Sequence, residues 1–201
     1  LPDGVALMYV SVYQPQKNGI NSYLLGPGSG GPAILVDPVE FNATLLGEME
    51  SRRLYLDTIL LTTPEEHNVH AIQTIQKIYR VNVVAGTGSV TGIACTCVQE
   101  ESTFSVGGME VTAIPMLPHT RRSLVFHVNG VLLTGTIMHA GTLGETPNSY
   151  AEALLAASVI DHLFGYDDET PILPALGPPS NVRAERALNP WLREFLEENR
   201  L

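Results

Sequence analysis

The chain has 201 residues, enough for one sizeable core and short for two. Its 44% apolar content is that of a globular domain, and its formal charge of −10 argues against nucleic-acid binding and against attraction to anionic membranes. No apolar stretch approaches the roughly 18 residues of a membrane helix. Leu1-Pro2-Asp3-Gly4 puts no basic segment ahead of an apolar run, so no signal peptide is visible and the cytoplasm is the expected location.

The first third reads as β structure. Val5–Val12 and Asn21–Leu25 are strand-like, residues 26–32 are a Gly/Pro turn cluster, and Ala33-Ile34-Leu35-Val36-Asp37-Pro38 is a short run of buried-strand type. Residues 41–53 predict a helix with Leu45, Leu46 and Met49 on one face. Leu56–Leu61 is the next strand, and a helix from about Pro64 to Tyr79 carries the stripe Ile72, Ile75, Ile78 and Tyr79. Val81–Ala85 is another short strand. The Cys95-Thr96-Cys97 pair has no partner pair to complete a metal site and reads as two small buried side chains on one side of a strand.

From Thr103 onward β structure returns. Phe104–Val106 and Met109–Pro115 flank a Gly107-Gly108 turn, and Leu124–Val128 and Val131–Thr134 are joined by Asn129-Gly130, a strong hairpin signal. Ser149–Phe164 predicts a helix, Ile172-Leu173 a last short strand, and Asn181–Asn199 mostly a final helix. This order predicts a single layered domain over residues 1–201, sheets inside and helices outside.

The segment that bears on chemistry is Leu61-Thr62-Thr63-Pro64-Glu65-Glu66-His67-Asn68-Val69-His70, between a buried strand and a helix. It fits a capping box, with Thr63 at the N-cap, Pro64 at N1 and Glu66 at N3, while Glu65 at N2 suits the helix dipole. His67 and His70 lie three apart and share a helix face. Among the other histidines, His127 reads as an ordinary strand residue and His162 as a helix-surface one. His139 is a candidate acid or base beside a packed alternative. Arg121 and Arg122 could hold an anion.

Several strings, in order, resemble the metallo-β-lactamase fold superfamily, and within it the glyoxalase II-like (hydroxyacylglutathione hydrolase-like) branch. The strand–loop–helix junction at Thr62–His70 stands where that family usually has Thr-His-x-His-x-Asp-His. Leu117-Pro118-His119-Thr120-Arg121-Arg122-Ser123 resembles Pro-Gly-His-Thr-x-Gly-Ser. Leu133-Thr134-Gly135-Thr136-Ile137-Met138-His139-Ala140-Gly141 resembles Phe-Thr-Gly-Asp-Thr-Leu-Phe-Ala-Gly. Pro174-Ala175-Leu176-Gly177-Pro178 resembles Pro-Gly-His-Gly-Pro, and Asn189-Pro190-Trp191-Leu192-Arg193 resembles Asn-Pro-Phe-Leu-Arg. The resemblance implies an α+β fold: an αβ/βα four-layer sandwich of two mixed β-sheets flanked by helices. It also implies a pair of metal ions at one edge that make hydroxide available near neutral pH.

Carried over position by position, the resemblance retains His119 as the third histidine of the first metal. The other ligand positions fall on Thr63, Glu65, His67, Asn68, Thr136 and Leu176. A one-residue shift puts Glu66 and His67 on the Asp-His pair, but Thr136 and Leu176 are replaced in either register. The expectation is a degenerate member without the dinuclear centre, with no cofactor, binding an unknown small molecule or protein. The alternative is a (thio)ester hydrolase with one zinc or iron ion on His67, His119 and either Glu65 or Glu66. The catalytic candidates are His67, His119 and His139, and Asp37 is expected to tie the turn below the site.

Overall fold

The computed structural model describes residues 7–14, 19–116 and 122–198, without the side chains of Glu66, His67 and Glu198. In chain order the first half holds β1 (Met8–Tyr13), β2 (Ser22–Pro27), β3 (Gly31–Val36), α1 (Ala43–Ser51), β4 (Leu54–Leu60), α2 (Glu66–Gln76), β5 (Asn82–Ala85), β6 (Ser89–Val90), β7 (Ile93–Ala94) and β8 (Thr96–Cys97). The second half holds β9 (Ser102–Val106), β10 (Met109–Pro115), β11 (Leu124–Val128), β12 (Val131–Gly135), β13 (Met138–His139), β14 (Thr142–Leu143), α3 (Ser149–Leu163), β15 (Pro171–Pro174), β16 (Ser180–Asn181), α4 (Val182–Leu188) and α5 (Pro190–Glu198).

Two six-stranded mixed sheets, in the orders β1-β2-β3-β4-β5-β8 and β16-β15-β12-β11-β10-β9, make up the core, and β6-β7 and β13-β14 are separate two-stranded pairs. Alternation along each strand sends neighbouring side chains to opposite faces. Leu25, Ile34, Val36 and Leu60 of the first sheet therefore meet Val111, Leu124, Phe126 and Leu133 of the second. The residues between them face the helices: Leu24, Leu35 and Ile59 pack with Leu45, Met49, Ile72 and Ile75. Val125, Leu132 and Ile172 pack with Leu155, Val159, Leu163 and Leu192. Burial on both faces explains why these strands read as continuous apolar runs. The result is the expected α+β four-layer sandwich. Among the described residues, no helix is long and apolar enough to cross a membrane.

Three helices start on asparagine caps. Asn42 accepts from the Thr44 and Leu45 N–H groups, Asn148 from Ala151 and Asn181 from Ala184. Several expected boundaries are corrected. The final helix of 181–199 is two helices: Asn189, ahead of Pro190, is extended at φ −67° and ψ 114°. Asn181 belongs to β16 and caps α4. Ile78 leaves the α2 stripe, because the helix ends at Gln76 and its side chain is 57% exposed. Cys95 is half-buried and Cys97 exposed, so the pair is not buried as expected: β8 lies at the edge of its sheet. The two-residue strands β6, β7, β13 and β14 are too short for periodicity to reveal.

Candidate functional site

The site lies where β3, β4 and β12 end. Asp37 follows β3 in a left-handed conformation at φ 46°. Its carboxylate accepts from the Thr62 N–H at 2.8 Å and the Thr62 hydroxyl at 2.6 Å. Ser22 donates its hydroxyl to the Asp37 carbonyl at 2.7 Å. The turn below the site is thus tied as expected. Thr62 in turn joins the two sheets, because its carbonyl accepts from the Leu124 N–H at 2.7 Å. Gly135 packs against Thr62 so closely that a Cβ there would sit 2.1 Å from the Thr62 hydroxyl oxygen. At φ 56°, that conformation favours glycine.

Above this knot a cavity of about 160 Å³ is lined by Ile20, Thr63, Glu65, Thr136, Ala175 and Leu176, with Asp37 and Thr62 at its base. The Thr63 hydroxyl lies 3.3 Å from that of Ser123 and 3.5 Å from that of Thr136. These separations are long for O–H···O bonds and describe a loose hydroxyl cluster. Opposite it, the loop bearing Ala175 and Leu176 is tied to β2. The Tyr23 hydroxyl and the Asn21 amide both donate to the Pro174 carbonyl, at 2.6 and 3.0 Å, and the Asn21 amide also reaches the Gly177 carbonyl at 2.9 Å. Burial pushes the Tyr23 hydroxyl up to about 12, which keeps it protonated as a donor. Burial likewise raises the Asp37 carboxyl from 3.8 to about 6, against the opposing effect of its Thr62 bonds.

The helix start differs from the expected capping box. The N-cap of α2 is Glu65, and Asn68 stands at N3, where its Oδ1 accepts from the Glu65 N–H at 3.2 Å. Thr63 and Pro64 precede the helix, and Glu66 is its first residue. Asn68 is fully buried and donates its amide to the Pro38 carbonyl at 3.1 Å, so both ends of its side chain serve the backbone.

Two ions would need a bridging carboxylate and converging imidazoles. The cavity presents the hydroxyls of Thr63 and Thr136 and the hydrocarbon of Leu176, with the Glu65 carboxylate on its wall and Asp37 at its base. Asn68 and Asp37 are engaged with Pro38, Glu65 and Thr62. Among the described residues, the cavity lining therefore offers no imidazole to such a pair. Among the described residues no three His, Cys, Asp or Glu side chains converge as a metal site would require. His119, and the side chains of His67 and Glu66, on which the one-ion alternative rests, lie outside the described residues, as does Arg121. Glu65 is exposed and lines the cavity.

The remaining histidines stand apart from the cavity wall. His139 is half-buried on the β13–β14 hairpin, and burial lowers its pKa. Its Nε2 is buried without a hydrogen-bond partner among the described residues. His127 packs its ring on Tyr166 with centroids 4.5 Å apart, His162 and His70 are exposed, and so is Arg122. Asn21, Tyr23 and Ser123 shape the site without having been singled out. Their signal lies in Asn21-Ser22-Tyr23, which reads as the start of a strand, and in the motif string that ends at Ser123, whose resemblance draws attention to His119 instead. Beside the hairpin, the buried Glu185 accepts from the Gly141 N–H at 3.1 Å, from the Asn189 amide at 2.8 Å and from the Ser180 hydroxyl. It fastens α4 to the β13–β14 turn.

No family model matches the chain. Among curated relatives, an uncharacterised protein of Mycobacterium tuberculosis is 24% identical, the match covering 86% of this chain and 92% of that protein. An uncharacterised protein of Mycobacterium leprae is 25% identical, covering 86% and 93%. Among solved structures, ETHE1 from Myxococcus xanthus superposes with a TM-score of 0.78 at 20% identity, covering 96% of this chain and 92% of that one. The BLEG-1 B3 metallo-β-lactamase superposes at 0.75 and 18% identity, covering 92% and 99%. TTHA1623, solved in a di-iron-bound form, superposes at 0.70 and 20% identity, covering 92% and 100%.

Proposed function

This chain has the metallo-β-lactamase fold, and on that fold we propose a binding or scaffolding protein without the dinuclear centre and its hydrolase activity. The observation that supports this reading is the cavity wall. Thr63, Thr136 and Leu176, at three positions that the resemblance aligns with metal ligands, line one space of about 160 Å³. None of the three brings a charge or an imidazole. The wall is hydroxyl on one side and aliphatic, from Ile20, Ala175 and Leu176, on the other, with the Glu65 carboxylate beside them. Such a surface suits a small group without negative charge, either a compact molecule or a side chain of a protein partner. Elemental analysis of the purified protein together with a thioester hydrolysis assay tests the reading.

A second reading is a (thio)ester hydrolase with one zinc or iron ion on His67 and His119. It is favoured by Glu65, a carboxylate on the cavity wall at the N-cap of the helix that contains His67. A structural neighbour with a di-iron form is compatible with it. This reading requires one metal per chain that disappears in His119→Ala.

A further inference from the structure

A second cavity, of about 470 Å³, opens at the other end of β4, between the start of β1, the β2–β3 turn and the end of α1. Its cationic walls are Arg52 and Arg53, with Tyr9, Ser29 and Ser51 beside them. The Arg52 guanidinium lies 3.6 Å from the centroid of the Tyr9 ring, and the Tyr9 hydroxyl donates to the Glu48 carboxylate. A guanidinium at this distance over a ring face gains a cation–π attraction that restrains its position. Among the described residues, no carboxylate forms an ion pair with either arginine; those recorded involve Arg183, Arg186 and Arg193.

Arg53 stands where a helix usually ends in glycine or asparagine. Its φ is 58°, and its N–H closes on the Glu50 carbonyl at 3.0 Å. Its own carbonyl accepts from Gly31 at 2.9 Å. A Cβ on Gly30 would meet the Arg52 carbonyl oxygen and the Arg53 Cβ at 2.9 Å each, so the turn is pressed against the arginine pair. The dipole at the end of α1 accounts for a cation here. It does not account for a long side chain at a left-handed position that glycine adopts at lower cost. The chain, moreover, has 21 acidic residues against 11 basic ones.

We propose that this cavity binds a phosphorylated small molecule, its phosphate held by the guanidinium groups of Arg52 and Arg53 and its polar body by the Ser29 hydroxyl and by the Ser51 hydroxyl oxygen, whose proton goes to the Glu48 carbonyl. Planar guanidinium forks match phosphate oxygens in geometry and charge. The space exceeds what one phosphate fills, so a phosphate ester or pyrophosphate is favoured over the bare ion.

Calorimetric titration of the full chain with pyrophosphate at constant ionic strength, with inorganic phosphate and succinate as comparison ligands, tests this. The expected result is saturable pyrophosphate binding that weakens about tenfold or more in Arg53→Gly. Glycine suits the left-handed backbone, so the unliganded Tm of that variant should equal or exceed the parent's. Arg53→Asn, also tolerant of that conformation, should lose affinity in the same way. Absence of saturable binding overturns the proposal. So does pyrophosphate affinity unchanged in both Arg53→Gly and Arg52→Gln, and so does succinate binding as tightly as pyrophosphate.

Discussion

The Asp37 carboxylate takes both the N–H and the hydroxyl of Thr62, and so locks the end of β3 to the end of β4 from a fully buried position. Thr62 then carries the lock across to the second sheet through Leu124 and through its contact with Gly135. The floor of the site is therefore one covalently remote but mechanically continuous unit.

The first test concerns pH. Burial raises the Asp37 carboxyl from 3.8 to about 6, so the unfolded chain releases this proton before the folded one. The group's contribution to stability is fully present below 3.8 and is lost as pH rises through about 6. A shift of about two units corresponds to roughly 3 kcal/mol. Asp37→Asn should therefore be less stable than the parent near pH 4 and should gain on it by about 2–3 kcal/mol on going above pH 7. Urea unfolding of both proteins at the two pH values measures this. A difference independent of pH contradicts it.

Gly135→Ala should lower stability by about 3 kcal/mol, because the added methyl meets the Thr62 side chain and the backbone is left-handed. Tm should fall by roughly 6–12 °C. A Thr62→Ser background keeps the hydroxyl oxygen and Cβ that the added methyl meets first, and should recover little of that loss.

Asn68→Ala removes the acceptor for the Glu65 N–H and the donor to the Pro38 carbonyl in a fully buried place. The expected cost is about 2–3 kcal/mol. Amide exchange should show the first turn of α2 losing protection ahead of the rest of the helix. If stability is unchanged and metal content rises, Asn68 has been misassigned as a backbone tie.

His139→Phe should stabilise the fold by about 1 kcal/mol, since it removes a buried Nε2 that has no partner among the described residues. Burial lowers the His139 pKa below 6.5, so protonation on acidification favours the unfolded chain. The gain from phenylalanine should therefore be larger below pH 6.5 than above it. Thermal melts of both proteins across this range read the difference directly, and a gain that shrinks on acidification contradicts the assignment.

The sandwich was legible because both faces of each sheet are covered. Runs such as Ala33–Val36 and Ile59–Leu61 could be nothing but buried strands, and the hairpin turn at Asn129-Gly130 marked its register. Thr136 and Leu176, which the resemblance aligns with ligand positions, both line the cavity. What the sequence could not reveal was how the neighbours are used. Asn68 looked like a lapsed ligand, yet its amide bridges two backbone segments thirty and three residues away. The helix start was misplaced because Thr63-Pro64-Glu65-Glu66 satisfies capping rules locally, while the packing of Asn68 against Pro38 moves the cap to Glu65. The pairing of Arg52 and Arg53 over one cavity depended on a left-handed turn that propensity disfavours.

The most direct test of the central claim is elemental analysis of the protein purified after growth with zinc and iron, paired with thioester hydrolysis by the same sample. The account expects no two-metal stoichiometry and no turnover above background, with both results unchanged in Thr136→Val. Two metal ions per chain with measurable thioester hydrolysis would contradict it.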